Sequence, residues 1–587
     1  MSNKPLQKLE LTWIGKGEEP KLEPRILIEN PEYSYGDPNT GNMLIHGDNL
    51  LALKALEQEY AGKVKCIYID PPYNTGSAFE YYDDNLEHST WLNLMHQRLI
   101  LLRSLLSKDG FICCHIDDSE GQYLKVLMDE VFGRNNYLTT FYVRVRYPDK
   151  TLKQDMDFHK EIEQIHIYRK EFGAKPNRNQ SQANFEKFNF YFTEKGNFET
   201  IELGGKRVEV FRKGAWKIEK GVGTEDGRKE IWATGSILDG NSSGRFFRDY
   251  LDGRYEIDGY GALYKIYGIG DDKFDFRYFT GPQKEGATKG KYFQGVPISQ
   301  LESLDNIKYT PINNFYDLAG SFGNCRTEGG VDFRSGKKPE KLLNIILSHF
   351  SNKGDLVLDS FLGSASTIAV AHKMGRKWIG IELGEHAFSH CIPRLKNIIN
   401  GLDNTGISAE VTWQGGGGFR FYTLAPSLLN QDRFGNWIIS REYNPAMLAA
   451  AMAKQEGFGY QPDTHTYWKQ GRSSEQDYIY VTTQFLTVET LESIHDEMQP
   501  GESLLICCKS FQKECKGRFG NITLKKIPQM LLGRCEFGKD DYSLNIVNMP
   551  VEETEALEMD TEVEDTPESV QELCDKIKTN DEPTLFG

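Results

Sequence analysis

The sequence predicts a doubly wound, mostly parallel α/β sheet that is interrupted by an inserted domain. Strand-like and helix-like segments alternate over residues 41–170, and the same alternation returns after residue 315. In both parts a buried apolar strand ends abruptly in a loop of polar and small residues. Alternation of this kind is typical of parallel sheets covered by helices on both faces. We therefore expect two distant parts of the chain to form one sheet.

The first part of the predicted sheet begins with Met43–His46, a short apolar strand. Leucines at helical spacing follow the turn at Gly47 and Asp48. Val64–Ile69 is a β-branched run that ends at Asp70. After it we expect a helix over residues 92–106, a strand over 111–116 and a helix over 124–132.

The pattern changes after residue 170. Residues 171–310 contain 24 aromatic residues and 20 glycines, with weak periodicity and recurrent turns. This composition predicts an inserted domain that is β-rich or irregular. The α/β pattern then resumes with a helix over residues 342–350, a strand over 356–359, a helix over 367–374 and a strand over 378–382.

Composition argues against several classes of protein. The 587 residues are 39% hydrophobic, but they contain no apolar run of about 18 residues that could span a membrane. The N-terminus lacks the layout of a signal peptide, so we expect a cytoplasmic protein without membrane contact. The ten cysteines form no CxxC pair and no zinc-ligand spacing. We therefore expect reduced thiols and no metal site.

The net charge of −16 is concentrated at one end of the chain. Residues 551–587 contain 13 acidic residues and two lysines, a net charge of −11, which leaves −5 for the other 550 residues. A run of this kind is typical of a solvated, disordered tail. The acidic total therefore argues only weakly against binding of nucleic acid.

The first chemical motif is Asp70, Pro71, Pro72 and Tyr73, at the carboxyl end of a buried strand. An aromatic amine is a poor nucleophile because its lone pair is delocalised, and two hydrogen-bond acceptors can localise that pair. Asp70 can supply one acceptor, and a carbonyl of the Pro-Pro turn, for which Pro71 is the candidate, can supply the other. Tyr73 offers a face on which an extruded base can stack. The alternative is a plain strand-ending turn capped by an aspartate.

The second motif is DSFLGSAST, residues 359–367, which follows an apolar strand and opens a helix. Gly363 permits a tight turn and close approach of the backbone to a ligand. Glu382 ends the next strand, 19 residues after Gly363, where an acidic residue can bind ribose hydroxyls. An ordinary strand–helix turn is the alternative. Together, the two motifs indicate transfer of a group from a ribose-bearing cofactor to an amino nitrogen.

The sequence as a whole resembles the beta-ordered DNA amino-methyltransferases, whose catalytic motif precedes the cofactor motif in a circularly permuted order. The similarity is strongest to modification subunits of type III restriction-modification systems. It is carried by HGDNLLALKAL, YIDPPYNTG, LLSKDGFICCHIDDSE, GATKGKYFQGVP, FRSGKKPEKLLNIILSHF, LDSFLGSASTIAVAHKMGRKWIGIELGEHAF and WQGGGGFRFY. The resemblance implies the methyltransferase fold, S-adenosyl-L-methionine as cofactor, double-stranded DNA as substrate and adenine N6 as the methyl acceptor.

The resemblance also implies roles for individual residues. Asp70, Pro71, Pro72 and Tyr73 would form the amine-binding catalytic motif. The implied cofactor-binding residues are Asp48 near the cofactor's adenine amine, Lys338 and Pro339 around its methionine part, Asp359, Phe361 and Gly363 in the glycine turn, and Glu382 at the ribose. The family usually has a second glycine where this chain has Ala365, whose methyl group is expected to crowd the cofactor.

The implied domain organisation follows the same resemblance. The expected regions are an N-terminal extension (1–40), the catalytic half (41–170), a target recognition domain (171–315), the cofactor-binding half (316–400), a C-terminal α+β interaction domain (401–550) and the acidic disordered tail (551–587). A homodimer and a helicase-nuclease restriction subunit as partner are implied as well. Two alternatives remain open, which are methylation of cytosine N4 and a catalytically silent DNA-recognition partner of the same fold.

Overall fold

The computed structural model describes residues 10–73, 84–148, 158–182, 185–233, 242–301, 307–333, 336–473 and 476–542. The chain forms two compact units. The first unit contains Met1–Asn177 and Asn313–Gly587, and the second contains Arg178–Ile312. The expected acidic tail over residues 551–587 lies outside the described residues.

The first unit is built on an eleven-stranded sheet. In chain order its strands are β1 (Leu27–Glu29), β2 (Tyr35–Gly36), β3 (Met43–His46), β4 (Val64–Ile69), β5 (Leu106–Ile116), β6 (Tyr137–Arg144), β7 (Ile162–Arg169), β8 (Phe315–Asp317), β9 (Leu356–Asp359), β10 (Lys377–Glu382) and β11 (Gly418–Leu424). Their spatial order is β1-β11-β3-β10-β9-β4-β5-β7-β6-β8, and β2 also pairs with β11. The six neighbouring strands from β11 to β5 are all parallel, so the sheet is mostly parallel as predicted.

Helices follow most of the parallel strands, as the alternating sequence pattern predicts. They are α1 (Asn49–Tyr60), α2 (Asp84–Leu105), α3 (Gly121–Met128), α4 (Ala319–Asn324), α5 (Glu340–Phe350), α6 (Ser366–Lys373) and α7 (Ile392–Ile399). The apolar face of α1, with Leu50 and Leu53, packs into one core with Ile67 and Ile69 of β4. Complete burial of each such side chain contributes about 1.5–3 kcal/mol to stability.

The predicted elements agree with the structure most closely at the two motifs. The strands predicted at Met43–His46, Val64–Ile69 and Leu356–Asp359 have those limits in the structure. The helix expected from residue 92 begins at Asp84, and the strand expected from residue 111 begins at Leu106.

Two parts of the central sheet differ from the expected domain limits. The N-terminal extension contributes β1 and β2, which both pair with β11 in antiparallel orientation. The region expected to form a separate domain from residue 401 contributes β11 itself, which pairs in parallel with β3. The sheet therefore extends beyond residue 400, because β11 pairs alongside β3 and continues its parallel arrangement.

The second unit is β-rich, as its composition predicts. Its main sheet is antiparallel, and its strands in spatial order are Glu199–Leu203, Lys206–Phe211, Leu263–Tyr267, Phe276–Thr280, Lys291–Gln294 and Lys229–Trp232. Two further pairs of strands are Phe190–Glu194 with Trp216–Lys220, and Asn179–Gln182 with Ile307–Thr310. Short helices cover Ser242–Phe246, Tyr255–Asp258 and Ile298–Leu301. Aromatic residues such as Tyr264, Phe279 and Tyr292 form much of the core.

The C-terminal part of the first unit contains a second, mixed sheet. Its strands in spatial order are Gly459–Tyr460, Gly471–Arg472, Asp477–Leu486, Ser503–Phe511 and Ile522–Lys526. A separate strand pair, Leu429–Gln431 with Trp437–Ile439, precedes helix α8 (Pro445–Glu456), and helix α9 (Val488–Glu497) lies between two strands of the mixed sheet. Within the described residues, no helix combines the length and apolar character that a membrane span requires.

Four fully buried charged side chains connect α5, α6, α7 and the loop after α7. Glu340 lies 2.7 Å from Lys373 and 2.8 Å from Arg394, measured between carboxylate oxygen and cationic nitrogen. Asp403 lies 2.6 Å from Lys373. Loss of one member would leave its partners as uncompensated buried charges. This network therefore fixes the helices that surround β9 and β10.

Replacement of Glu340 tests the structural role of this network. We expect Glu340→Gln to lower the free energy of unfolding by about 3–5 kcal/mol, because Lys373 and Arg394 lose their shared carboxylate. Glu385→Gln is the matched control at an exposed position, and it should change stability by less than about 0.5 kcal/mol. Thermal and urea unfolding would measure both variants. Equal stability of the two variants would show that the buried network is dispensable.

Candidate active site

Four neighbouring strands end at the same edge of the central sheet. β10 pairs in parallel with β3 and β9, and β9 pairs in parallel with β4. Asp48 follows β3, Asp70 follows β4, Asp359 ends β9 and Glu382 ends β10. Because the carboxyl ends of parallel strands meet at one edge, the residues of both predicted motifs lie side by side.

Among the described residues, the contacts of the Asp70 carboxylate are made through Oδ1. The Tyr73 hydroxyl donates a hydrogen bond to Oδ1 of Asp70 over 2.8 Å, and the Lys338 ammonium lies 3.3 Å from the same oxygen. Lys338 also donates to the Tyr73 hydroxyl oxygen over 2.7 Å. Burial, together with the negative charges of Asp70 and Glu163, raises the pKa of Tyr73 well above its ordinary value. Tyr73 therefore remains a protonated hydrogen-bond donor.

The two prolines after Asp70 differ in their surroundings. The carbonyl oxygen of Pro72 accepts a hydrogen bond from the indole N–H of Trp91 over 2.8 Å. Trp91 is fully buried on α2, so this bond directs the Pro72 carbonyl into the protein. The carbonyl of Pro71 is consequently the better candidate for an acceptor that faces a ligand.

The sequence analysis did not single out two residues that complete this cluster. Glu163 on β7 lies 3.2 Å from the Lys338 ammonium and 3.1 Å from the Tyr73 hydroxyl. Nε2 of His115 on β5 lies 2.8 Å from Glu163, and its Nδ1 lies 2.7 Å from the hydroxyl of Tyr68. Burial opposes ionisation of Glu163, but the charge of Lys338 and the bond to His115 lower the pKa of Glu163 below its ordinary value. Glu163 lies on a strand that also carries Gln164 and His166, so the sequence pattern did not mark it. His115 lies in LLSKDGFICCHIDDSE, one of the stretches that carry the family resemblance.

Lys338, which the family resemblance places at the methionine part of the cofactor, contacts the amine-binding motif in the structure. Burial alone would lower the pKa of Lys338, but the carboxylates of Asp70 and Glu163 raise it above its ordinary value. The side chain is therefore a fixed positive charge that contacts the amine-binding motif. The adjacent Pro339 is the N-terminal cap residue of α5.

The glycine turn after β9 is held by Glu382 from the neighbouring strand. The backbone N–H of Gly363 donates to one oxygen of Glu382 over 2.7 Å, and that of Gly384 donates to the other over 2.8 Å. Burial raises the pKa of Glu382, and these backbone N–H groups oppose the shift. Gly363 has a φ of 54°, and a Cβ built there would meet no atom of the described residues within 4 Å. The turn therefore faces open space beside an acidic acceptor.

Asp359 is buried at the start of the same turn. It accepts a hydrogen bond from the backbone N–H of Phe361 over 3.0 Å. Phe361 is partly buried against the central core. Burial raises the pKa of Asp359 to about 7, with further contributions from the negative charges of Asp70 and Glu382, while Thr367 and Phe361 oppose the shift. The carboxyl of Asp359 therefore titrates near neutral pH.

Ala365 adopts the backbone conformation that favours glycine. Its φ is 64°, and it caps the N-terminus of α6. A non-glycine residue in this region costs about 1–2 kcal/mol. The methyl group is fully buried in the protein, so it does not line the open space at Gly363. Ala365 therefore carries local backbone strain, and its effect on cofactor binding stays a prediction.

Asp48 caps the N-terminus of α1 and makes contacts with three groups. One carboxylate oxygen accepts from the backbone N–H of Leu51 over 3.0 Å. The other lies 3.3 Å from the Arg98 guanidinium and accepts from the backbone N–H of Tyr542 over 3.2 Å. Burial lowers the pKa of Arg98 to about 10, although the charges of Asp48 and Asp541 raise it.

The donors and acceptors at this edge fit a nucleoside-type group. Ser360 Oγ and His46 Nε2 are buried, and neither has a hydrogen-bond partner among the described residues. Both residues lie at strand ends that flank Glu382 and the glycine turn. Orphaned buried polar atoms of this kind require a partner. No cluster of His, Cys, Asp and Glu that could hold a metal ion occurs within the described part of the chain.

The sequence matches the model of a protein family described as DNA methylase over residues 64–392, more than half of the chain. The HindVI Mod subunit of Haemophilus influenzae is 33% identical over 439 residues, which cover 68% of this chain and 56% of that subunit. The StyLTI Mod subunit of Salmonella typhimurium, a type III restriction-modification enzyme, is 39% identical over 148 residues, covering 20% of this chain and 22% of that subunit.

The matches thus span little more than half the length of one relative and about a fifth of the other. Among solved structures, PvuII DNA methyltransferase (cytosine-N4-specific) aligns with a TM-score of 0.31 and 14% identity, over 64% of this chain and 91% of that one. Because the family model matches more than half of the chain, the chain belongs to the DNA methylase family.

Proposed function

We propose that this chain is a site-specific DNA methyltransferase that transfers a methyl group from S-adenosyl-L-methionine to adenine N6. The observation that carries this proposal is the parallel pairing of β4 with β9, which sets Asp70 beside the glycine turn. The amine-binding motif and the cofactor motif then open onto one edge of one sheet. Membership of the DNA methylase family and similarity to Mod subunits support the same activity.

The amine is activated by two acceptors on a rigid turn. Tyr73 and Lys338 hold Oδ1 of Asp70, and Oδ2, which neither of them contacts, would accept one N–H of the base. The Pro71 carbonyl accepts the other N–H, while Pro72 is fixed by Trp91. The ring of Tyr73 offers a stacking face for the flipped base. The amine proton becomes acidic only after the nitrogen has formed its new bond, so Asp70 need not be a strong base.

The cofactor residues lie on the strands next to Asp70. Glu382 would accept bonds from the ribose hydroxyls, and Gly363 would allow close approach of the backbone. Asp359, Phe361 and Pro339 would line the methionine part, with Asp48 toward the adenine. S-Adenosyl-L-methionine, when bound, supplies a methyl group that is already activated by the sulfonium. The contribution of the protein is alignment of the reacting atoms and polarisation of the amine.

The remaining parts of the chain have proposed roles in recognition and assembly. We assign target recognition to the inserted unit, Arg178–Ile312, and protein interaction to the region after β11. A homodimer, a helicase-nuclease restriction subunit as partner and a cytoplasmic location follow from the proposed type III modification function. The names of the similar Mod subunits support this assignment.

Analysis of the reaction product tests the proposed function. The purified chain would be incubated with cofactor that is isotopically labelled in the methyl group and with double-stranded DNA of mixed sequence. After digestion to nucleosides, mass spectrometry should detect labelled N6-methyladenine. Labelled N4-methylcytosine would contradict the proposed acceptor, and the absence of any methylated base would contradict methyl transfer itself.

Replacement of Asp70 separates methyl transfer from cofactor binding. We expect Asp70→Ala to reduce the rate of methyl transfer by at least about 100-fold, because the amine loses a positioned acceptor. The dissociation constant of the cofactor should change by less than about threefold, since Asp70 lies on the base side of the site. Asp496→Ala, at an exposed position, is the matched control. Calorimetry that showed lost cofactor binding would contradict the assigned roles.

The titration of Asp359 predicts a pH dependence of cofactor binding. Its pKa of about 7 means that the carboxyl is neutral below that pH and ionised above it. Because the sulfonium is positive, we expect binding to favour the ionised form. Cofactor affinity should therefore rise as pH increases through about 7, by up to about tenfold per unit below the pKa.

Calorimetry across this pH range, in buffers of different ionisation enthalpy, would measure both affinity and the proton released on binding. Asp359→Asn should remove the pH dependence. Affinity that fell with rising pH, or a dependence that persisted in the asparagine variant, would contradict the role of Asp359.

A further inference from the structure

We propose that Glu163 is a positioning residue for the reaction, which acts through Lys338 and Tyr73 to hold the Asp70 carboxylate in place. The inference rests on the proposed function, because it concerns the same transfer step. Glu163 lies on β7, far along the chain from both predicted motifs. It contacts the amine-binding motif through the Tyr73 hydroxyl.

Glu163 completes a closed set of contacts around a single ammonium. The Lys338 nitrogen lies 3.2 Å from Glu163, 3.3 Å from Asp70 and 2.7 Å from the Tyr73 hydroxyl. The Tyr73 hydroxyl can donate only one proton, and Asp70 at 2.8 Å is closer to it than Glu163 at 3.1 Å. Tyr73 therefore donates to Asp70 and accepts from Lys338. Glu163 is the second carboxylate partner of Lys338 and keeps the ammonium between the two carboxylates.

The position of Glu163 is fixed by its own support. His115 is fully buried, and its Nε2 lies 2.8 Å from the Glu163 carboxylate. Its Nδ1 lies 2.7 Å from the hydroxyl of Tyr68, which is also buried. The imidazole of His115 therefore lies between the Tyr68 hydroxyl and the Glu163 carboxylate. The contacts therefore connect Tyr68 on β4 to His115 on β5 and His115 to Glu163 on β7. Glu163 in turn contacts Tyr73, which follows β4.

Electrostatics explain why a second carboxylate is required. If Asp70 were its single carboxylate partner, the Lys338 ammonium would move closer to Asp70. It would then compete with the amine of the base for both carboxylate oxygens. With Glu163 as a second partner, Lys338 is shared, and within the described part of the chain it contacts Asp70 through Oδ1. Oδ2 then stays available for the amine of the base. Small displacements of such a group can cost about 100-fold in rate.

A double-mutant cycle in the full-length chain tests this inference. Glu163→Gln keeps the size of the side chain and removes its charge. We expect its single-turnover rate of methyl transfer to fall about 10- to 100-fold, with the dissociation constants of cofactor and DNA unchanged within about threefold. Lys338→Met should reduce the rate at least as much. The double variant should be no slower than Lys338→Met, because Glu163 acts through Lys338.

Glu161→Gln is the matched control. Glu161 lies two residues away and pairs with Arg144 at 3.1 Å, outside the cluster, so its rate should equal that of the wild type. If Glu163→Gln fails to fold, Glu163→Asp carries the test, since it retains the charge but withdraws it from Lys338. A slower rate with unchanged cofactor affinity in the aspartate variant would support the inference.

Three outcomes would overturn the inference while leaving the proposed function intact. Glu163→Gln could transfer methyl groups at the wild-type rate. The rate losses of Glu163→Gln and Lys338→Met could multiply in the double variant, which would indicate that the two residues act independently. Its loss could also appear entirely as weaker cofactor binding. A wild-type chain that methylates nothing would instead contradict the proposed function.

Discussion

Parallel pairing between β4 and β9 is the constraint on which the site depends. These strands belong to segments that lie almost 300 residues apart in sequence, and the second unit is inserted between them. Because the strands are parallel neighbours, Asp70 and the glycine turn at Gly363 must emerge at the same edge. β10 adds Glu382 on the far side of the turn. The chain between the two halves of the site passes through the second unit, so their alignment relies on the strand pairing and on the core packed beneath it.

Charge at this edge is divided between two environments. On the base side, one lysine is shared by two carboxylates, which holds the Asp70 side chain in place. On the cofactor side, Asp359 is buried without a cationic partner among its described contacts, and the pKa of its carboxyl is raised to about 7. A cationic ligand is therefore favoured beside Asp359, whereas a neutral amine that donates hydrogen bonds is favoured beside Asp70. This division matches the charges of the two proposed reactants.

The sequence predicted most of what local pattern can encode. Apolar runs at Val64–Ile69 and Leu356–Asp359 predicted the two strands to the residue, and the motifs after them predicted the two turns. Glu163 and His115 could not be predicted, because other polar residues lie on the same strands and the partners of both residues are distant in sequence. The role of β11 was missed since its pairing with β3 depends on tertiary packing. The contact between Lys338 and Asp70 could not be predicted either, because it depends on the order of the strands in the sheet.

A structure of the chain in complex with sinefungin and a DNA duplex would test the central claim most directly. We predict that the nucleoside of the analogue lies against the turn at Gly363 with its ribose at Glu382. A flipped adenine should place its amino nitrogen within hydrogen-bond distance of Asp70 and the Pro71 carbonyl. The amine of the analogue, which replaces the transferable methyl group, should point at that nitrogen. An analogue bound away from the glycine turn, or a base that enters the protein at another edge, would contradict the account.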